Sequence, residues 1–146
     1  MANIASGKIE ITASFTYSSV IGGAAFAGYP KLSQSQSLDS TTPVNKVYNE
    51  TGTISSPHTI DVSSLTDAYG AALAFGTVKQ FVIQNTGAGN LVVGGGSNPL
   101  FGTDQYTVKS GATLPITSSF TEGAGAKNIL LTPSASLSYT LIICGS

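Results

Sequence analysis

Short stretches in which polar and apolar residues alternate, separated by turns that contain glycine or proline, recur along most of this chain. The clearest is Lys8–Tyr17, in which an apolar residue occupies every second position from Ile9 onward. A period of two places those residues on one face of a half-buried strand. No window of ten residues shows a sustained helical stripe. The sequence therefore predicts an all-β protein.

The strand pattern separates an N-terminal segment from a longer body. Residues 1–45 begin with the alternating strand and continue as an irregular stretch from Val20 to Thr42, broken by Gly22-Gly23 and Tyr29-Pro30. Loops of that length inside a compact domain are usually functional, so we expect residues 1–45 to form an extended strand and an arm or loop. Residues 46–146 are expected to form the body of what is one domain overall.

The body contains roughly eight or nine strand-like segments with frequent turn signals, which predicts a single-domain antiparallel β-sandwich, specifically a jelly roll. Thr77–Asn85 and Asn90–Gly94 are expected to pair as a hairpin. Ser63–Gly70 is the best candidate for a helical turn, with a serine cap and a glycine stop. Lys109-Ser110-Gly111 is expected to be a turn with glycine at positive φ.

Charged residues are scarce, at 9% of the chain, whereas about 25% is typical of soluble domains. The six basic residues are all lysines, spread singly along the chain, and the net charge is −1. Nucleic-acid binding needs a basic stripe and membrane-surface binding needs a polybasic cluster, so neither partner is expected. A polar but nearly uncharged surface suits a protein that packs against neighbouring subunits.

The start of the chain and its one cysteine give further expectations. Residues 1–5 lack a basic region and an apolar core, and no run approaches the roughly 18 apolar residues of a membrane-spanning helix. We therefore expect no signal peptide, no membrane span and synthesis in a cytoplasm. Cys144 lies in the apolar run Leu141–Cys144 and is predicted to be a buried hydrophobic residue of the last strand.

Residues capable of catalysis are few. His58 is the only histidine, so it cannot belong to a multi-histidine zinc site, and the Gly-x-Ser-x-Gly motif of a serine hydrolase is absent. Asp61 and Asp67 are expected to serve in capping or turns, although a fold can bring distant acids together. The sequence predicts no catalytic, cofactor-binding or metal-binding residues, no cofactor and no enzymatic activity.

Two residue groups invite a binding interpretation. The glycines at 87, 89 and 94–96 lack the Gly-Lys-Ser/Thr ending of a nucleotide loop, so they are predicted to serve turns and close packing. Exposed aromatic rings can form a sugar-binding platform, although aromatic residues at alternating strand positions more often belong to cores or interfaces. The candidate rings are Tyr29, Tyr48, Tyr69 and Tyr106.

A resemblance to a known family starts at Ser64–Gly70, which leads into Val78–Asn85 and Leu91–Gly95. A Gly-x-x-hydrophobic-Pro segment follows at Gly111–Pro115, and the chain closes with Ser138–Gly145. This arrangement resembles small virion proteins of tailed bacteriophages, of the capsid decoration (cement) or tail-associated type. The resemblance covers roughly residues 54–146, is not found in the rest of the chain, and brings no catalytic residues.

The resemblance implies a structural protein on the outer surface of the virion head, made in the host cytoplasm. Such a protein binds the major capsid protein and copies of itself, as a homotrimer, and stabilises the head lattice. We expect residues 1–17 and the Val20–Thr42 stretch to make the contacts. The alternatives are a tail-fibre or receptor-binding module that binds carbohydrate through tyrosines, and a small hydrolase that depends on His58.

Overall fold

The computed structural model describes the backbone of residues 7–14, 17–21, 24–28 and 31–38, and the backbone and side chains of residues 46–67 and 69–146. The chain divides into two compact units, Met1–Pro43 and Val44–Ser146. The described residues form strands, turns and loops without a helix. Accordingly, that part of the chain has no helix long and apolar enough to cross a membrane.

The described residues of the first unit form antiparallel two-stranded pairs. β1 pairs with β4 and β2 pairs with β3, and both pairs follow one register, from Gly7 opposite Leu38 to Ile21 opposite Ala24. We call these four strands the N-terminal ribbon. They are β1 (Gly7–Ser14), β2 (Tyr17–Ile21), β3 (Ala24–Gly28) and β4 (Lys31–Leu38).

Two strands of the N-terminal ribbon lie where the sequence predicts an irregular stretch, so that prediction is wrong for Ala24–Gly28 and Lys31–Leu38. Glycine, serine and glutamine have little intrinsic preference for strands. Strand formation depends more on the pairing context than on propensity, and β4 pairs along its whole length with the alternating strand β1. Residues 7–14 and 17–21 of the predicted segment 1–45 lie in β1 and β2, and its remaining residues, apart from β3 and β4, lie outside the described ranges.

The described strands of the second unit form two large antiparallel sheets and one small hairpin. The four-stranded sheet has the order β11-β10-β14-β6, and the five-stranded sheet has the order β12-β9-β15-β5, with β13 also paired to β9. The hairpin joins β7 to β8. The strands are β5 (Lys46–Ile54), β6 (His58–Asp61), β7 (Leu65–Thr66), β8 (Ala72–Leu73), β9 (Thr77–Asn85), β10 (Leu91–Gly94), β11 (Gln105–Val108), β12 (Thr113–Ile116), β13 (Phe120–Thr121), β14 (Asn128–Pro133) and β15 (Leu137–Gly145).

Both large sheets contribute to one hydrophobic core. Phe81 and Leu141 of the five-stranded sheet and Leu91 and Ile129 of the four-stranded sheet are fully buried in the same cluster. The core forms between the sheets because side chains alternate between the two faces of a strand. Along β15, for example, buried residues alternate with more exposed ones between Leu137 and Ile143. Each sheet therefore has one apolar face, and burying it gains about 25 cal/mol per Å² of apolar surface.

The chain crosses between the sheets after β9, and the predicted hairpin of β9 with β10 is wrong because the two strands belong to different sheets. Both sides of β9 are occupied, by β15 on one side and by β12 and β13 on the other. The buried Asn85 side chain stabilises the connection between β9 and β10, because its Nδ2 donates to the carbonyl oxygens of Gly89 (2.9 Å) and Val108 (3.0 Å).

The predicted helical turn at Ser63–Gly70 is also wrong. Leu65–Thr66 instead pairs with Ala72–Leu73. The Asp67 carboxylate accepts hydrogen bonds from the backbone N–H groups of Tyr69 (2.9 Å) and Ala71 (2.8 Å), which closes a turn between the two strands. A short acidic side chain satisfies backbone donors in such a turn as well as it does at a helix start, so the sequence signal is the same for both.

Two local predictions are confirmed. Gly111 has a φ of +76°, as expected for the glycine of the turn after β11. Cys144 is buried in the last strand, and this burial raises the pKa of its thiol to about 11. Because the thiolate is the nucleophilic form of cysteine, this thiol is unreactive at neutral pH.

Candidate functional site

A shallow cleft of about 400 Å³ lies along one side of the second unit. Strands β5 and β6 are each the last strand of their sheet, so the cleft lies where two sheet edges meet. Its volume falls within the range of small-ligand sites. We call it the edge cleft, and its lining is Tyr48, Glu50, His58, Thr59, Ile60, Asp61, Ser64, Leu65 and Thr66.

The strand period brings the polar residues of the edge cleft together. Half-buried and exposed residues alternate strictly along β5, and Tyr48 and Glu50 both fall on the half-buried side. The connection 55–57 then carries the chain from the five-stranded sheet to the four-stranded sheet, where His58 begins β6. These three side chains therefore meet between the sheets.

A carboxylate that accepts two tyrosine hydroxyls, that of Glu50, lines the edge cleft. The Tyr48 hydroxyl donates to Oε2 of Glu50 at 3.0 Å, and the Tyr139 hydroxyl donates to Oε1 at 2.8 Å. Tyr139 reaches Glu50 from the core, where it is 1% exposed. Nε2 of His58 lies 4.0 Å from Oε1 of the same carboxylate, which is beyond hydrogen-bond distance.

Both tyrosine hydroxyls are held in the protonated, donating form. Burial, followed by the hydrogen bond and the negative charge of Glu50, raises the pKa of Tyr48 to about 12. The same causes raise the pKa of Tyr139 further above its usual value. Because the unfolded chain ionises these hydroxyls first, near pH 10, their contribution to stability is present below that pH. It is lost as the pH rises through the folded-state pKa values.

Replacing Glu50 with glutamine is expected to lower the free energy of unfolding by about 1–2 kcal/mol, because an amide NH₂ cannot accept the second tyrosine hydroxyl. The pKa values of Tyr48 and Tyr139 should fall toward the ordinary tyrosine value. Urea unfolding measures the first effect, and an alkaline titration of tyrosinate absorbance measures the second.

The matched control for Glu50→Gln is Asp104→Asn, because Asp104 accepts only one exposed, long contact, from the Tyr106 hydroxyl at 3.5 Å. We expect that variant to stay within about 0.5 kcal/mol of the wild type. Equal stabilities for both variants, with unchanged tyrosine titration, would show that the Glu50 network contributes nothing to the fold.

A second polar group is built on Asp61, which also lines the edge cleft. Nζ of Lys127 is 2.8 Å from Oδ2 of Asp61, and Oδ1 of Asp61 accepts hydrogen bonds from the backbone N–H and the hydroxyl of Ser63. Lys127, and then Ser63, lower the pKa of the Asp61 carboxyl below its usual value. Asp61 thus serves the turn after β6, and its ion pair with Lys127 is at the surface, where such pairs contribute little stability.

The structure brings some of the sequence candidates together and separates others. Tyr48, His58 and Asp61 line the edge cleft, whereas Tyr69 is 93% exposed in the β7–β8 turn. Asp67 serves that same turn. Tyr106 lies on β11, and Tyr29 lies outside the described residues. The four tyrosines do not form one sugar-binding platform in the part of the chain that the structure describes.

The glycines at 94–96 are found in turns and close contacts, as the sequence analysis predicts. Gly94, Gly95 and Gly96 all have positive φ, which other residues rarely adopt. At Gly95 a Cβ atom would collide with the Gln105 side chain, and at Gly96 it would lie 3.1 Å from Leu130. Within residues 46–67 and 69–146, no group of three or more His, Cys, Asp and Glu side chains is placed to hold a metal ion.

The sequence analysis did not identify Glu50, which lines the edge cleft, or Tyr139, the core residue that donates to it. The alternation of β5 already places Glu50 on the same face as Tyr48, so the strand period was an available signal. The contact between Glu50 and Tyr139 joins residues 89 positions apart, and no local pattern predicts it.

Comparison with protein-family models, curated proteins and solved structures finds no significant match for this chain.

Proposed function

We propose that this chain is a structural virion protein of a tailed bacteriophage, a capsid decoration (cement) protein that binds the outer head lattice and stabilises it. Its partners in this proposal are the major capsid protein and further copies of the chain, as a homotrimer, with no nucleic acid and no membrane. It acts by binding and carries no enzymatic activity. It is made in the host cytoplasm and is located on the outer surface of the head.

One observation carries the proposal: a compact β body follows a separate unit whose described strands form only two-stranded pairs. A two-stranded ribbon is marginally stable by itself in water, because it has few neighbours against which to bury apolar surface. The N-terminal ribbon gains stability when a partner covers it. That is the behaviour expected of the attachment element of a lattice-binding protein.

We also propose that the body is a jelly-roll β-sandwich. In support, the strands pair in nested fashion: β5 with β15, β6 with β14, β9 with β12, and β10 with β11. Pairing the first strand with the last and continuing inward is the order expected when one long antiparallel pair rolls into two sheets. Jelly rolls are common in viral capsid proteins, and this part of the support is an analogy between folds.

The proposed mechanism is mass action. A protein that binds the assembled lattice but not the dissociated subunits stabilises the lattice by RT ln(1 + [L]/Kd), which is about 2.7 kcal/mol when its concentration is 100 times its dissociation constant. The edge cleft has a structural role in this proposal, because both oxygens of Glu50 already accept tyrosine hydroxyls.

The test uses phage heads that lack the protein, mixed with either the full chain or residues 44–146. We expect the full chain to coat the heads and to raise the temperature at which they disrupt, and residues 44–146 to do neither. Cryo-electron microscopy and thermal disruption assays measure the two effects. Circular dichroism of residues 44–146 checks that the body still folds as a β protein. Failure of the full chain to coat heads, or equal binding by the shortened chain, would refute the proposal.

The edge cleft favours a second candidate function, a tail-fibre or receptor-binding module that binds carbohydrate. The cleft combines an aromatic ring, from Tyr48, with carboxylate and imidazole groups from Glu50 and His58. Sugar ligands use that mixture of stacking and hydrogen bonding. Glycan-array binding that is lost in Tyr48→Ala would favour this candidate over the decoration protein.

A further inference from the structure

Strand β5 has a free edge beside the edge cleft. It is the last strand of the five-stranded sheet and pairs with β15 along its whole length, from Lys46 to Ile54. No described strand pairs with its other side, so backbone N–H and C=O groups point away from the sheet there. An edge of this kind can accept an extended peptide as an additional strand.

The other edges of the two large sheets are less suited to strand addition. β6 and β11 contain four residues each. β12 is equally short and contains Pro115, which has no N–H to donate. Short edge strands and proline are devices that keep an edge from pairing. Among these edges, β5 is therefore the longest that lacks both devices.

The charge of Glu50, in the middle of β5, has no lysine to neutralise it in the described part of the chain. Its carboxylate accepts only the neutral hydroxyls of Tyr48 and Tyr139. His58 lies 4.0 Å from it and is charged only when protonated. Lys46, on the same side of β5, is four residues away, roughly 13 Å along an extended strand. A negative charge is therefore left in the edge cleft.

The other carboxylate of the edge cleft is already neutralised, because Asp61 is paired with Lys127 at 2.8 Å. Glu50 still has room for a cation. A carboxylate offers about four acceptor positions, and the two tyrosines use two of them. The ring of Tyr48 also lines the cleft, and an aromatic ring attracts an ammonium or guanidinium group.

From this arrangement we infer that β5 and the edge cleft bind an extended segment of a partner protein that carries a lysine or an arginine. Residues opposite each other on paired strands have Cβ atoms about 5 Å apart on the same side. A basic residue opposite Glu50 on an added strand therefore reaches the cleft. The free backbone edge selects a polypeptide, and the charge of Glu50 selects the basic residue.

The same charge excludes other strands. An inward-pointing charge on an edge strand opposes pairing with most sequences. It favours a strand whose facing residue has the opposite charge, so Glu50 sets the specificity of the edge. The inference goes beyond the proposed function, in which the N-terminal ribbon makes the attachment. It also assigns to a peptide the cleft that the carbohydrate candidate uses.

The test titrates the ¹⁵N-labelled full chain with a short capped peptide in which threonine and valine alternate around a central arginine. Two matched peptides carry glutamine or glutamate in place of the arginine. We expect the arginine peptide to bind at least about tenfold more tightly than the glutamine peptide, and the glutamate peptide to bind most weakly. NMR chemical-shift changes should be centred on β5 and β6.

A lysine placed inside the edge cleft should compete with the peptide. Thr59 lines the cleft and is exposed on the edge strand β6, so Thr59→Lys adds a cation there without removing a hydrogen bond of Glu50. We expect this variant to bind the arginine peptide about tenfold more weakly. The matched control is Thr107→Lys, an exposed threonine of β11 at the opposite edge of the same sheet, which should bind like the wild type.

Glu50→Gln should bind the arginine and glutamine peptides equally, and circular dichroism verifies the fold of each variant. Equal binding of the three peptides by the wild type, or no binding of the arginine peptide at millimolar concentration, overturns the inference. A single capped arginine that binds as tightly as the peptide also overturns it, because the strand edge then contributes nothing. Self-association of the chain that Thr59→Lys abolishes assigns the edge to a second copy instead. Coating of phage heads enters none of these outcomes and tests the proposed function separately.

Discussion

Replacing Asn85 with aspartate is expected to lower the free energy of unfolding by about 3–5 kcal/mol at neutral pH, because it leaves an uncompensated charge in the core. The Asn85 side chain is 0% exposed. Its Nδ2 donates to the carbonyl oxygens of Gly89 and Val108, and its Oδ1 accepts from the backbone N–H of Gly87 at 3.1 Å. A carboxylate keeps only the last of these bonds and faces two carbonyl oxygens without a donor.

The sign of the pH dependence follows from the same contacts. Burial and the facing carbonyl oxygens raise the folded-state pKa of the introduced aspartate above its value of about 3.9 in the unfolded chain. The variant should therefore be most stable below about pH 4 and should lose stability as the pH rises through the folded-state pKa. Urea unfolding at acidic and neutral pH measures the difference.

Asn90→Asp is the matched control for Asn85→Asp. Asn90 is exposed at the other end of the same turn. Its backbone N–H donates to the Ser134 hydroxyl and its backbone carbonyl accepts from the Ser134 N–H, both at 2.9 Å, so these bonds do not involve its side chain. That variant should unfold within about 0.5 kcal/mol of the wild type at both pH values. If Asn85→Asp matched the wild type at neutral pH, the crossing from β9 to β10 would not depend on this side chain.

Replacing Gly145 with alanine is expected to cost about 3 kcal/mol, the upper range for overpacking a filled site. A Cβ atom there would collide with the carbonyl oxygen of Thr77 and would lie 2.8 Å from Cδ1 of the buried Phe75. The register of β15 against β9 shifts between Cys144 and Gly145, so the backbones approach closely at this point. Alanine must push the strands apart and weaken the bond from the Ser146 N–H to Thr77 O, now 2.9 Å.

Gly76→Ala tests whether the cost comes from this close approach or simply from replacing a glycine with alanine in this region, because the Gly76 N–H donates to the carbonyl oxygen of Ser146. The atom nearest to a Cβ at Gly76 is the carbonyl oxygen of Ser146 at 3.7 Å, an ordinary contact. Thermal and urea unfolding should therefore show little change for Gly76→Ala and a large loss for Gly145→Ala. Equal losses would mean that the contact with Thr77 and Phe75 is not the cause.

The sequence predicts those parts of the fold whose cause is local. The burial of Cys144 and the positive φ of Gly111 each depend on a few neighbouring residues, and the structure agrees with both predictions. The prediction of a helical turn at Ser63–Gly70 was wrong although its cause is local. An aspartate accepts backbone N–H groups in a tight turn, as Asp67 does here, in the same way as it does at the start of a helix. Strand formation in β4 was missed because its pairing with β1 outweighs its polar composition.

By itself, the sequence determined that the chain is β-rich, that alternate residues of Lys8–Tyr17 are apolar, and that little charge is available for any surface. Only the tertiary structure decided that β9 and β10 lie in different sheets and that Glu50 meets Tyr139. Side-chain alternation is a property of consecutive residues, whereas strand neighbours are selected by hydrogen bonding and core packing between distant segments. Many pairings satisfy the same alternation, and only the packed molecule distinguishes among them.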